Sequence, residues 1–277
     1  MKKILIPTDF SGCANAASEV GLQIAQEASA CVNFIHLCHT PGDWVKLSIE
    51  EEQQYPETKQ RIGQAKAELS KWIKYAKSLG VEAEKTLAFT MEPEAILSHA
   101  EEHDCDLIVM GSHGASGIKE WLLGSNTQHI VRNAKVPVLV IKPPAKGFSV
   151  KQLLFASDFQ EDIRLAFARI FSFAKLTGAC VRLLYITDSE NPEKIKETKT
   201  RMENILKEYP EIRGKVHLFN AANVEKGILD FAKDNGIDLI TIATHGRRGI
   251  KGLFAETITE RLVNHSGIPV LSVSLHN

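Results

Sequence analysis

Short runs of Ile, Val and Leu alternate along this chain with longer stretches in which apolar residues recur every three or four positions. In the first half the runs cover residues 4–7, 31–37, 82–89, 107–110 and 136–141. They show little polar alternation, as expected of strands in a parallel sheet covered on both faces. Helical spacing falls between them, on residues 14–28, 54–79, 93–103 and 125–133. The second of these carries a stripe of Ile62, Leu69, Trp72, Ile73 and Tyr75 that reads as core packing. The β-α-β-α order predicts an open, doubly wound α/β sheet, in which ligands sit beyond the carboxyl ends of the strands near a topological switch point. The loops after Pro7, Leu37 and Met110 are therefore where chemistry is expected.

The pattern then repeats. Lys2-Lys3-Ile4-Leu5-Ile6-Pro7-Thr8-Asp9-Phe10 matches Lys151-Gln152-Leu153-Leu154-Phe155-Ala156-Ser157-Asp158-Phe159. The same offset pairs Ala30-Cys31-Val32 with Ala179-Cys180-Val181. Further on, Asp106-Leu107-Ile108 pairs with Asp238-Leu239-Ile240, His113-Gly114 with His245-Gly246, and Pro137-Val138-Leu139 with Pro269-Val270-Leu271. The offset shrinks between these blocks, so the second copy has a shorter middle, with the break within residues 40–85. The run from Lys142 through two prolines to Gly147 ends a strand and frees a turn. Two five-stranded domains follow, residues 1–142 and 149–277, joined by a linker at 143–148.

The totals change this picture little. At 277 residues, 44% apolar and 24% charged, each half is long enough to bury a core of its own. A net charge of −1 excludes wholesale attraction to nucleic acid or to an anionic membrane. No apolar run approaches the ~18 residues a membrane helix needs. The opening apolar stretch is broken by Pro7, Thr8 and Asp9, so it reads as a buried strand and not as a secretion signal. Five cysteines without a C-x-x-C pair suit a reducing cytoplasm better than a disulfide framework.

One segment carries chemistry. After the run 107–110 come Gly111-Ser112-His113-Gly114, nine residues, and Gly124-Ser125. Gly111 lets a ligand approach the strand end, and Gly114 and Gly117 can take positive φ to turn successive N–H groups inward. Ser125-Asn126-Thr127-Gln128 has the form of a capping box at a helix start, where N–H donors and the dipole favour a phosphate. Glycines after a strand often only make a turn; the added Gly-Ser at the start of a helix favours a phosphate site. It is neither a Walker A loop nor a G-x-G-x-x-G fingerprint.

Over essentially its whole length the chain resembles the universal stress protein family in its tandem form. The carriers are residues 4–11, the block from Asp106 to Ser125 and the run 136–141. The G-x2-G-x9-G-[ST] spacing resembles that of the family's ATP-binding branch. The resemblance implies a Rossmann-like fold of the adenine nucleotide α-hydrolase kind, with Pro7, Leu37 and Met110 bordering adenine and Asp9 accepting from the ribose hydroxyls. Thr8 and His113 would stand beside them, and Gly111, Gly114, Gly124, Ser125 and Asn126 would hold the phosphates. It implies ATP as the ligand, with or without Mg2+, and a cytoplasmic stress regulator. The tandem would then be a homodimer fused into one chain, residues 136–141 pairing antiparallel with 269–274, with a further homodimer left open. For Asp9 a helix N-cap is the alternative role, since Asp158 persists in the second copy.

The second copy reads Ala243-Thr244-His245-Gly246, nine residues, then Glu256-Thr257. Ala243 puts a methyl where the ligand would approach, and Glu256 puts a carboxylate near the phosphates. Unit charges at about 4 Å and an effective dielectric of about 20 repel by ~4 kcal/mol, roughly a thousandfold in affinity. Thr257-Ile258-Thr259-Glu260 still has the capping-box form. The second copy is therefore expected to be structural, with Glu256 filling its own anion site; the competing idea is that Arg247, Arg248 and Lys251 admit another anion.

Other signals are weaker. His113 and His245 recur whether or not the glycines do, which favours a role in shaping the loop over catalysis. His36, Cys38 and His39 lack a second cluster at zinc spacing. Two rival functions stand beside ATP-dependent regulation. One is slow ATP hydrolysis or phosphoryl transfer, for which Asp9, His113 and Lys119 are the nearby groups. The other is an interaction scaffold with a vestigial pocket or a different small ligand.

Overall fold

A computed structural model describes residues 1–41, 43–113, 124–143, 147–160, 163–187, 191–244 and 253–275, with only the backbone of 253–257. The first copy runs β1 (Lys3–Pro7), α1 (Gly12–Ala28), β2 (Cys31–Leu37), α2 (Ile49–Glu52), α3 (Pro56–Ser78), β3 (Ala83–Ala88), α4 (Glu94–Glu102), β4 (Leu107–Gly111), α5 (Ser125–Asn133) and β5 (Val138–Ile141). The second runs β6 (Gln152–Ala156), α6 (Arg164–Thr177), β7 (Cys180–Thr187), α7 (Pro192–Glu208), β8 (Gly214–Asn220), α8 (Val224–Asp234), β9 (Leu239–Thr244), α9 (Leu253–His265) and β10 (Val270–Ser274).

The ten strands form one sheet in the order β3-β2-β1-β4-β5-β10-β9-β6-β7-β8. Each copy is a doubly wound parallel sheet, and its chain direction across the sheet reverses between β1 and β4 or between β6 and β9. At the centre β5 and β10 run antiparallel, with Leu139 opposite Leu271, Val140 opposite Val270 and Val138 opposite Ser272. The expected pairing of the two closing strands is present, and it gives one edge of each copy a partner.

Strand alternation sorts the core into two layers. Ile4, Ile6, Phe34, Phe155, Phe167 and Val181 lie on one side of the sheet, and Leu5, Ile35, Ile108, Leu154 and Ile240 on the other. Both layers run through both copies, so the expectation of a separate core for each half is corrected. The central strands, buried on both faces, weld the two halves. The α1 helix lies close to β1 because residue 21 is glycine: a Cβ there would stand 2.4 Å from Ile6 Cδ1. The stripe on α3 is narrower than its sequence suggests. Ile62, Ala65, Leu69 and Ala76 are buried, whereas Tyr75 is exposed and meets Trp72 edge-on, at 5.9 Å between ring centroids.

The shortened middle of the second copy also has a location. Residues 38–55 separate β2 from α3, but residues 188–191 do the same work between β7 and α7. The extra segment of the first copy is held by Trp44, which packs with Cys38 and Ile62 in a small core bordered by Leu47, Leu87 and Phe89.

Polar contacts lock the seam between the copies. Gln23 donates to Phe148 O at 2.7 Å, Arg169 donates to Lys135 O at 2.8 Å, and Arg132 of α5 pairs with Glu260 of α9. Lys142, just after β5, donates to Asn264 O at 2.6 Å and Ser266 O at 2.7 Å, at the carboxyl end of α9. Burial pushes its amine down to about 8, while two helix-end carbonyls and the dipole favour the ammonium. Charged hydrogen bonds of this kind contribute about 1.5–3 kcal/mol together with the carbonyls they satisfy. Lys142→Met is therefore expected to lower the unfolding free energy by about that amount, read by urea denaturation. No change would mean that water satisfies α9 equally well.

Candidate functional site

A cleft of about 400 Å3 opens at the switch point of the first copy, beyond the carboxyl ends of β1, β2 and β4. Its size falls within the ~300–1,000 Å3 range usual for small-ligand sites. Of the expected residues, Pro7, Thr8, Asp9, Leu37, Met110, Gly111, His113, Gly124, Ser125 and Asn126 all line it. Gly114 lies outside the described residues, as do Gly117, Lys119, His245, Gly246, Arg247, Arg248 and Lys251 and the side chains of Glu256 and Thr257. Ile35, His36, Met91, Ile96 and Thr127 also line the cleft. The sequence pattern did not mark Ile35, Met91 or Ile96, and it named His36 and Thr127 only for other roles, in a metal cluster and a capping box. Ile35 and His36 were findable, because they immediately precede a strand end already marked; Met91 and Ile96 come from a loop and helix that only the fold brings over.

The floor is a strained turn built identically in both copies. Phe10 holds φ 64° and Phe159 φ 57°, a region that bulky residues rarely adopt. Thr8 Oγ1 accepts from Phe10 N at 3.1 Å and Asp9 Oδ1 from Ser11 N at 3.0 Å. In the second copy Ser157 Oγ accepts from Phe159 N and Asp158 Oδ1 from Gln160 N, both at 3.1 Å. Asp9 thus braces the turn and is not the N-cap; Ser11 caps α1, accepting from Ala14 N. His36 Nδ1 lies 2.7 Å from Thr8 O, and its ring stacks on Phe10 with centroids 4.6 Å apart. A carbonyl only accepts, so His36 donates from Nδ1.

Gly111 has a role that its place in the spacing concealed. A Cβ at residue 111 would stand 2.8 Å from the backbone carbon of Cys13 and 2.9 Å from its oxygen. The glycine makes room for the first turn of α1 as well as for any ligand. The second copy carries Ala243 in the equivalent place. Burial, with Asp9 adding to it, pushes the Cys13 thiol above its ordinary range, so it is a protonated filler at neutral pH.

The start of α5 departs from the expected capping box. The helix begins at Ser125, its N-cap is Gly124 with extended backbone (φ −61°, ψ 141°), and no side chain caps it. The first turn closes with Gln128 N donating to Gly124 O at 3.0 Å. The N–H groups of Ser125, Asn126 and Thr127 therefore have no acceptor among the described residues. Thr127 Oγ1 donates to Gly111 O at 3.0 Å, fixing this helix end against β4. A helix start with free donors facing a cleft is suited to an anion.

The second copy differs by more than its motif. Its last helix begins at Leu253, so Thr257 lies inside α9 and the expected capping box there is not at a helix start. Residues aligned with the start of α5 have their N–H groups directed into the ladder of an α-helix. The residue at the apolar end is more deeply buried as well. Ile186, aligned with Leu37, is 7% exposed, and its Cδ1 stands 3.1 Å from where a Gly227 Cβ would be.

His113 sits at the polar end of the first cleft, with Nδ1 2.9 Å from Ser112 Oγ and a buried Nε2 without a partner among the described residues. Burial first, and Lys142 second, push its imidazole below the usual histidine range, so it is neutral at pH 7. Burial does the same to His99 and His217, whose Nε2 atoms are also buried and without a partner among the described residues. Lowered folded-state values mean that the unfolded chain binds more protons below about pH 6.5, so stability is full above that value and falls on acidification. The melting temperature is expected to drop between about pH 7 and pH 5.5, less so in a His217→Leu protein. A flat profile would contradict these neutral, buried imidazoles.

Comparison with known proteins agrees with this architecture. The model of the universal stress protein family matches residues 1–142 and again residues 149–274. Two universal stress proteins of Methanocaldococcus jannaschii are 35% and 30% identical, over 52% and 51% of this chain and 84% and 94% of their own lengths. The crystal structure of a universal stress protein from Archaeoglobus fulgidus shares the fold over 99% of this chain and 98% of its own, with a TM-score of 0.75 at 21% identity. With two matches that together span nearly all of its length, this chain belongs to the universal stress protein family.

Proposed function

We propose that the cleft of the first copy binds ATP, and that the chain acts as a nucleotide-responsive regulator with a structural second copy. The observation that carries this reading is the uncapped start of α5, whose free N–H groups face a cleft with apolar walls. Pro7, Ile35, Leu37, Met91, Ile96 and Met110 suit a flat, apolar base, and Asp9 suits a sugar diol. Gly111, Gly124 and the backbone of Ser125 and Asn126, with Gly114, would take the phosphates, and neutral His113 would contribute a hydrogen bond and no charge. The arrangement fits adenine nucleotide at both ends, apolar and anionic. Asp9 is the one carboxylate among the described lining residues, so a Mg2+ ion would be carried chiefly on the phosphates.

Binding is favoured over turnover because phosphoryl transfer needs a charge clamp, and the described lining residues include no Lys or Arg. Among the described residues no helix is long and apolar enough to cross a membrane. The reading is tested by titrating ATP calorimetrically into the full chain, with phosphate release followed in parallel. Saturable binding with negligible turnover is expected; absence of heat and of competition by ADP would defeat it.

A further inference from the structure

We infer that the segment inserted between β2 and α3 of the first copy is a docking surface for a basic, amphipathic segment of another protein. Eight large apolar side chains are exposed among the described residues, and the two most exposed of them share one short segment. Val45 (75% exposed), Ile49 (74%) and Tyr55 (38%) all lie on this insertion. Met91 (56%) lies on the loop after β3, at the mouth of the cleft. The second copy has no counterpart to the insertion, since residues 188–191 connect directly to α7. The extra length therefore does not serve the fold common to both copies.

The segment is also built to hold its shape. Trp44 is buried against Cys38 and Ile62, and its ring meets Tyr55 edge-on at 6.2 Å. A full capping box starts α2, with Ser48 Oγ accepting from Glu51 N and Glu51 accepting from Ser48 N. An anchored segment that still presents Val45 and Ile49 to water is what an interaction surface requires.

Charge selects the partner. Asp43, Glu50, Glu51, Glu52 and Glu57 outnumber Lys46 and Lys59, and both lysines are already paired, with Asp43 at 2.7 Å and Glu52 at 3.4 Å. Glu50 and Glu57 have no partner among the described residues. Exposed apolar groups with unpaired carboxylates close by in the chain complement a helix with Leu- or Phe-type residues on one face and Lys or Arg on its flanks. The same carboxylates repel anionic lipid, which separates this surface from a membrane-binding one.

The test uses the full-length protein and two labelled model peptides of equal length, one a Leu/Lys amphipathic helix and the other its Leu/Glu counterpart, followed by fluorescence anisotropy. The Leu/Lys peptide is expected to bind at least about tenfold more tightly, one unit of 1.4 kcal/mol. A Val45→Asp/Ile49→Asp protein and a Glu50→Lys/Glu57→Lys protein are each expected to lose that preference. These side chains are exposed, so unchanged thermal melting of both variants shows that the loss is not unfolding. Equal binding of the two peptides, or unchanged binding by both variants, would overturn the proposal. So would self-association of the wild-type chain that Val45→Asp/Ile49→Asp abolishes, because the surface would then belong to a second copy of this chain.

Discussion

A Gly124→Glu protein should fold normally and bind ATP roughly a thousandfold more weakly than the wild type. Residue 124 has ordinary extended backbone, so a side chain there is not strained, and the helix dipole favours a carboxylate at this end. The new carboxylate would stand beside the three N–H groups at the start of α5 that are proposed to hold the phosphates. Repulsion of ~4 kcal/mol between charges about 4 Å apart sets the size of the effect. The reverse exchange is not expected to work. Glu256→Gly leaves α9 starting at Leu253 and leaves Ile186 buried at the position aligned with Leu37. Calorimetry on both variants checks the pair: retained ATP affinity in Gly124→Glu, or a second site gained in Glu256→Gly, would each refute this explanation of the asymmetry.

Gly111→Ala is expected to act mainly on stability. Its methyl would meet backbone atoms of Cys13 at 2.8–2.9 Å, closer than real Cβ contacts, and backbone has no flexible end to move aside. Overpacking of this kind costs about 1–3 kcal/mol. Chemical denaturation should show that loss, with α1 and β4 moved apart. If stability were unchanged and only ATP affinity fell, residue 111 would be glycine for the ligand's sake, and the packing argument would fail.

Much of this was legible in the sequence. Five apolar runs and their helical intervals map closely onto the strands and helices, because a parallel sheet buried on both faces leaves an unbroken apolar signature. Even the antiparallel seam was expected, from the resemblance to a family homodimer fused into one chain. What the pattern could not reveal was set by contacts between distant segments. Ser125 was read as a cap because capping boxes are recognised by local spacing, yet Gly124 takes that position and leaves the N–H groups uncapped. Asp9 was read as a diol partner or a cap, and it braces a strained turn shared by both copies. Gly111 seemed to serve a ligand, but the obstacle to a side chain is Cys13, far from it in sequence. Ile186 shows the same limit: nothing local to β7 says that it will pack against Gly227 of α8.

The most direct test of one competent site per chain is native mass spectrometry of the full-length protein in excess ATP. The account predicts a single added nucleotide per chain, absent from Gly124→Glu. Two nucleotides per chain, or none, or one that persists in Gly124→Glu, would contradict it.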